Sequence, residues 1–195
     1  HYQTNRAYGV AAYSKGEVLL AQLAAVIGSE ARDQGLKDYF AKWSFKHPGP
    51  LELKRCMETA SGLELDWYFQ YFINTTHTID YAISSVYEGK ESAIVSLERI
   101  GAMPMPQNIT VTFEDGSTQY FHAPLVMMRG HKSLGTNENL LPDWPWTSPT
   151  YDFTIPISSS IVSVELDQKR QTADVNRDDN LVDFEAKRQR IYQRN

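Results

Sequence analysis

A phenolic hydroxyl aimed at a carbonyl oxygen on which negative charge develops lowers the barrier to hydrolysis. Tyr13, in Tyr13-Ser14-Lys15-Gly16 at the start of a long apolar helical pattern, carries a hydroxyl of this kind. On residue type and position alone, it reads as an ordinary half-buried tyrosine at a helix start. The five histidines are His1, His47, His77, His122 and His131. No two have the i, i+4 spacing that sets two imidazoles on one helix face, so no metal ligand is predicted. His47, between Lys46 and Pro48, is expected to hydrogen-bond a helix-ending corner rather than to act as a base. Glu64 and Asp66 sit near a helix start, where carboxylates cap it and complement its dipole. Asp174 to Glu185 places oxygen side chains at positions 1, 3, 5 and 12 of a calcium loop, but Asp179 fills position 6, which favours glycine. The expected reading there is a polar exit from the last strand into a C-terminal helix. Trp144 and Trp146 lie in a proline-rich segment and could form a binding platform, or fold back over a core.

Two hydrophobic periods organise the elements that must position these residues. From about Tyr13 to Ile73 the spacing is helical: Leu19, Leu20, Leu23, Val26 and Ile27, then Leu36, Tyr39, Phe40 and Trp43. Gly28 separates the first two helices, with Ser29 the expected N-cap of the second. Pro48-Gly49-Pro50 ends that helix, and Pro50 fits the first turn of a third, which Gly62 terminates. Trp67, Tyr68, Phe69, Tyr71 and Phe72 surround a fourth helix, which is expected to be wedged between others.

Beyond Asn74 the apolar residues alternate: Val95 and Leu97; Ile109, Val111 and Phe113; Phe153, Ile155 and Ile157; Val162, Val164 and Leu166. Asp115-Gly116 is a strong hairpin signal. The fold class expected is α+β, with residues 1–76 helical, 77–180 a β-sandwich and 181–195 a C-terminal helix or tail.

Composition excludes some function classes. A formal net charge of −5 gives no basic footprint for nucleic acid. The apolar stretch from Val18 to Ile27 is shorter than the ~20 residues a bilayer span needs, so no membrane span is predicted. Cys56 is the only cysteine, and no disulfide can form within the chain.

Three blocks in order, Tyr13-Ser14-Lys15-Gly16, Phe45-Lys46-His47-Pro48 and Ser61-Gly62-Leu63-Glu64-Leu65-Asp66-Trp67-Tyr68-Phe69, resemble the back half of the catalytic domain of zinc aminopeptidases related to aminopeptidase N and leukotriene A4 hydrolase. The closing Ala173-Asp174-Val175-Asn176-Arg177 resembles the end of the sandwich in bacterial members. The resemblance implies half of a thermolysin-like catalytic domain followed by a β-sandwich. It makes Tyr13 the catalytic oxyanion donor and Tyr8 a substrate-binding residue. By their own chemistry Lys15 and Gly16 are expected to be structural, the lysine burying its stem and the glycine allowing close helix packing.

Family members hold zinc on H-E-x-x-H and a later glutamate, a pattern that this sequence does not carry. The resemblance therefore implies a C-terminal piece of a larger metallopeptidase. Its zinc would be held upstream, the fragment itself would need no cofactor and would be inactive alone, and its partners would be peptide substrates and the N-terminal domains of the same protein. Bacterial members with this C-terminus suggest the periplasm, the cell envelope or secretion. The alternatives are a non-catalytic peptidase-like scaffold for peptide or protein interaction, or a glycan-binding β half.

Overall fold

In a computed structural model that describes residues 3–184, the helical pattern begins at Thr4, whose hydroxyl accepts a hydrogen bond from the Ala7 N–H at 3.0 Å. This cap opens α1 (Asn5–Gly9), a π-helical turn over Val10–Ser14 follows, and α2 (Lys15–Ile27) continues the same rod. The continuous helix Asn5–Ile27 has 23 residues and is long and apolar enough, by length and composition alone, to cross a membrane. This differs from the sequence expectation, because the π turn joins the alanine-rich residues before Lys15 to the apolar run after it. Leu23, Ala24, Ala25, Val26 and Ile27 at its C-terminal end are buried by protein. Each large aliphatic among them contributes about 1.5–3 kcal/mol of burial.

Gly28, at φ 86°, turns the chain into α3 (Ser29–Trp43). Gly28 is the N-cap, and Ser29 is the first helical residue with no capping bond from its side chain, a one-residue correction to the sequence reading. α4 (Pro50–Ser61) starts at Pro50, and the Glu52 carboxylate accepts from the Gly49 N–H at 2.7 Å. Gly62 closes it in the left-handed conformation at φ 70°. The α3–α4 crossing is close because Gly35 has no side chain: a Cβ there would stand 2.5 Å from Met57 Sδ and 3.2 Å from Met57 Cα.

α5 (Asp66–Asn74) buries Trp67, Tyr68 and Phe69. The Tyr68 hydroxyl donates to the Leu19 carbonyl at 2.7 Å, which ties α5 to α2, and burial pushes its phenol well above the ordinary tyrosine range.

The chain forms two compact units. The helical one is His1–His77 together with Met127–Ser133 and Gln171–Ala173, and the other is Thr78–Val126, Leu134–Arg170 and Asp174–Asn195. A single cut near residues 75–78 would therefore leave two later segments out of the helical unit. Within that unit the Met128 carbonyl accepts from Glu64 N–H at 3.1 Å, and Ala173 N–H donates to Gln22 Oε1 at 2.6 Å.

The second unit holds two sheets, so the chain is α+β, with helices first and strands after. β1 (Tyr81–Glu88), β2 (Ser92–Arg99) and β6 (Thr150–Pro156) form an antiparallel sheet in the order β1-β2-β6. The other sheet runs β5-β4-β3-β7-β8, from β3 (Gln107–Phe113), β4 (Thr118–Ala123), β5 (Glu138–Leu140), β7 (Ile161–Leu166) and β8 (Leu181–Asp183). Val95, Leu97, Ile109, Val111, Phe153 and Ile155 are buried as the alternation requires, and Phe121 of β4 meets Phe153 of β6 with ring centroids 5.9 Å apart.

Asp115-Gly116 makes the expected hairpin, with Gly116 at φ 81° and the Asp115 carboxylate accepting from Ser117 N–H at 2.9 Å. In β7 Val164 and Leu166 are buried as expected, and only Val162 departs from the alternation. A register shift between Thr112 and Phe113 pairs Phe113 with Ile161, so Ile161 rather than Val162 is buried. Leu181–Asp183, expected within a C-terminal helix or tail, forms strand β8 against β7. The rest of that segment, residues 185–195, lies outside the described residues.

Candidate functional site

Tyr13 lies inside the π-helical turn, where Lys15 N–H donates to the Val10 carbonyl five residues back. Turns of this kind frequently occur at functional sites. Its ring is 67% exposed, and Tyr8, 45% exposed, meets it edge-on with centroids 5.7 Å apart and planes at 88°. The structure thus brings together the two tyrosines singled out in the sequence.

Beside them opens a cavity of about 820 Å³ within the helical unit. Tyr13 and Glu17 come from the first helix, Leu36 and Tyr39 from α3, Leu53 from α4 and Phe69 from α5. Among the described residues Glu17 is the only acidic or basic side chain on its wall. Such a space suits an apolar group, with Tyr13 as a polar donor at its edge.

Lys15 and Gly16 do not play the packing parts expected of them. The Lys15 ammonium lies 5.3 Å from the centre of the Phe72 ring, a cation–π contact on an exposed side chain. A Cβ at Gly16 would meet nothing within 4 Å, because that position faces the open cavity rather than a neighbouring helix.

His47 is exposed, and it does not hold the corner that precedes α4. The bonds there come from Glu52 to Gly49 N–H and from Lys46 N–H to the Trp43 carbonyl. Asp66 opens α5 and accepts from the Lys54 ammonium, and this hydrogen bond holds Lys54 above the usual lysine range against the opposing effect of burial. Glu64 does not cap α5: its carbonyl accepts from Trp67 Nε1 at 3.0 Å, while Glu58 binds the Leu65 N–H at 3.0 Å.

The acidic segment from Asp174 turns its oxygens inward on the chain. Asp174 accepts from Tyr81 N–H at 3.1 Å and from Asn176 N–H at 3.0 Å, and Asn176 donates to Asp179 at 2.7 Å. The calcium-loop pattern is thereby used to hold β1, and its twelfth position, Glu185, lies outside the described residues. Among the described residues no three His, Cys, Asp or Glu side chains are placed to hold a metal ion. The described residues do not fit a zinc site.

Burial, and then the neighbouring Asp174, push the Asp80 and Asp179 carboxyls above their ordinary value of 3.8. The folded state therefore keeps these protons to higher pH than the unfolded chain does. Stability from this source is present at acid pH and is lost as pH rises through the carboxylate range. Asp80→Asn is expected to raise the denaturation midpoint at pH 7, and to raise it less at pH 4, where Asp80 is already partly protonated. Urea melts at the two pH values check this, and an equal effect at both would remove the electrostatic cause.

Trp144 and Trp146 do not form a platform. Trp144 is buried, stacks on Tyr151 at 5.0 Å and donates from Nε1 to the Ser148 carbonyl at 3.0 Å. Burial pushes the Tyr151 phenol up to about 12.

The π-turn geometry and the paired tyrosines had no local sequence signal beyond the Tyr8 to Tyr13 spacing. Comparison with known proteins gives that spacing a context. Residues 1–72 match the model described as Peptidase family M1 domain, which relates this segment, Tyr8 and Tyr13 included, to that peptidase family. The fold is similar to that of Legionella pneumophila aminopeptidase A, solved in complex with aspartic acid, with a TM-score of 0.54 and 13% identity over 85% of this chain. The chain spans 18% of the length of that solved chain. None of the curated proteins matches by sequence.

Proposed function

We propose that this chain is part of a zinc-dependent aminopeptidase that removes N-terminal residues from peptides, with the zinc ligands on other segments of the whole protein. Tyr13 is the catalytic residue supplied here. The observation that carries this reading is the position of Tyr13: exposed on a π turn, at the wall of an apolar cavity, inside the segment that matches the peptidase family.

Hydrolysis of a peptide bond moves negative charge onto the carbonyl oxygen, and a neutral phenol positioned beside that oxygen donates a hydrogen bond that strengthens as the charge grows. Tyr8 borders the same substrate. The cavity next to Tyr13 offers an apolar surface to the part of the peptide that does not react. Zinc, when bound by the whole protein, supplies the Lewis acidity that activates water. Among the described residues no such ligand set is placed, and in this reading the chain needs the other segments of the protein for activity.

The test is hydrolysis of aminoacyl chromogenic substrates by the full-length protein. Activity that disappears on chelation and returns with zinc supports the proposal. A full-length protein that binds peptides without cleaving them would instead be a peptidase-like scaffold.

A further inference from the structure

We infer that Tyr8 acts through Tyr13, as a positioning residue whose ring fixes the direction of the Tyr13 hydroxyl. The inference rests on the reading of Tyr13 as oxyanion donor and adds what holds that donor in place.

In a regular α-helix at 3.6 residues per turn, side chains five apart point about 140° away from each other. Tyr8 and Tyr13 are five apart, yet their rings touch edge to face at 5.7 Å. The wider turn over Val10–Ser14, closed by the bond from Lys15 N–H to the Val10 carbonyl, brings residues of this spacing towards one face. Tyr13 is 67% exposed, and among the described residues its side chain has no hydrogen bond and no ring contact other than Tyr8. An exposed tyrosine with nothing beside it would swing between rotamers, and a donor contributes most when its direction is set before the charge develops. The Tyr8 ring is the group that sets it. The part of Tyr8 that matters is then its aromatic edge and face, whereas a direct substrate contact would depend on its hydroxyl.

The experiment measures kcat and KM of the full-length protein on an aminoacyl substrate for Tyr8→Ala, Tyr8→Phe, Tyr13→Phe and the double variant Tyr8→Ala with Tyr13→Phe. Tyr8→Ala is expected to lower kcat about 10- to 100-fold through misplacement of the donor, with KM moved by no more than about twofold. Tyr8→Phe keeps the ring and is expected to restore kcat to within about threefold of the parent. In the double variant, Tyr8→Ala should cost almost nothing beyond Tyr13→Phe, because two residues acting as a unit are not additive.

A Tyr8→Ala effect confined to KM, a Tyr8→Phe variant as damaged as Tyr8→Ala, or fully multiplicative losses would each overturn the inference. If Tyr13→Phe lowers kcat while Tyr8→Ala does not, only the positioning role fails. An unchanged kcat in Tyr13→Phe removes the oxyanion reading and the positioning role with it.

Discussion

Tyr13→Phe in the full-length protein is expected to reduce kcat on the order of 10²–10³, the loss typical of a single oxyanion donor. The substitution removes one oxygen and keeps the ring, so the edge-to-face contact with Tyr8 and the wall of the cavity persist. Substrate binding should change little, because the bond in question strengthens as charge develops and is weak to a ground-state carbonyl. In free-energy terms the expected loss is about 2.7–4 kcal/mol of transition-state stabilisation. Steady-state kinetics on an aminoacyl substrate, with circular dichroism to show that the variant is folded, decides the matter. A rise in KM with kcat intact would make Tyr13 a binding residue instead.

The largest expected effect on stability belongs to Gly101→Ala, in the unit that holds the strands. A Cβ at Gly101 would stand 2.4 Å from the Thr78 carbonyl oxygen and 2.6 Å from the Asp80 nitrogen. Both are backbone atoms, so neither can rotate away as a side chain would. The segment is also fixed by hydrogen bonds: the N–H groups of Ile100 and Gly101 donate to the Asp80 carbonyl at 2.8 and 2.9 Å, and the Arg99 guanidinium donates to the Gly101 carbonyl at 2.8 Å. Admitting one methyl group means separating β1 from the turn that follows β2, at a cost of about 3 kcal/mol, the upper part of the range for overpacking. Urea denaturation with equal slopes for parent and variant would measure it. A variant as stable as the parent would mean that the two strand ends separate without loss.

Much of the architecture was legible along the chain. The apolar spacing through Leu19, Leu23, Val26 and Ile27 identified the buried face of α2, and the alternation of Ile109, Val111 and Phe113 identified the buried face of β3. Gly62, Gly116 and Pro50 marked a helix end, a hairpin and a helix start, since each carries its backbone preference locally. Tyr13 stood out by its neighbours Lys15 and Gly16, but the roles assigned to those neighbours did not survive. Lys15 rests on the Phe72 ring, and Gly16 faces open space.

The outcomes that local pattern did not fix share a cause. Whether Val10–Ser14 winds as an α or a π turn is a choice between two hydrogen-bond registers open to the same helix-forming residues. The bulge that buries Ile161 instead of Val162 is set by pairing with β3, a partner some fifty positions away along the chain. Trp144 takes the second of the two readings open to its segment and folds back over the core, because Tyr81 and Tyr151 close around it.

By itself, then, the sequence determined the helical and strand halves, their turns and most of their buried faces, because periodicity, capping and turn chemistry act over a few residues; Tyr13 was singled out by the resemblance of its motif. Only the tertiary structure decided that Tyr8 and Tyr13 touch, that a cavity opens beside them, and that Met127–Ser133 and Gln171–Ala173 belong with the helices. Those outcomes depend on which distant surfaces meet, and short-range pattern carries no record of the partner.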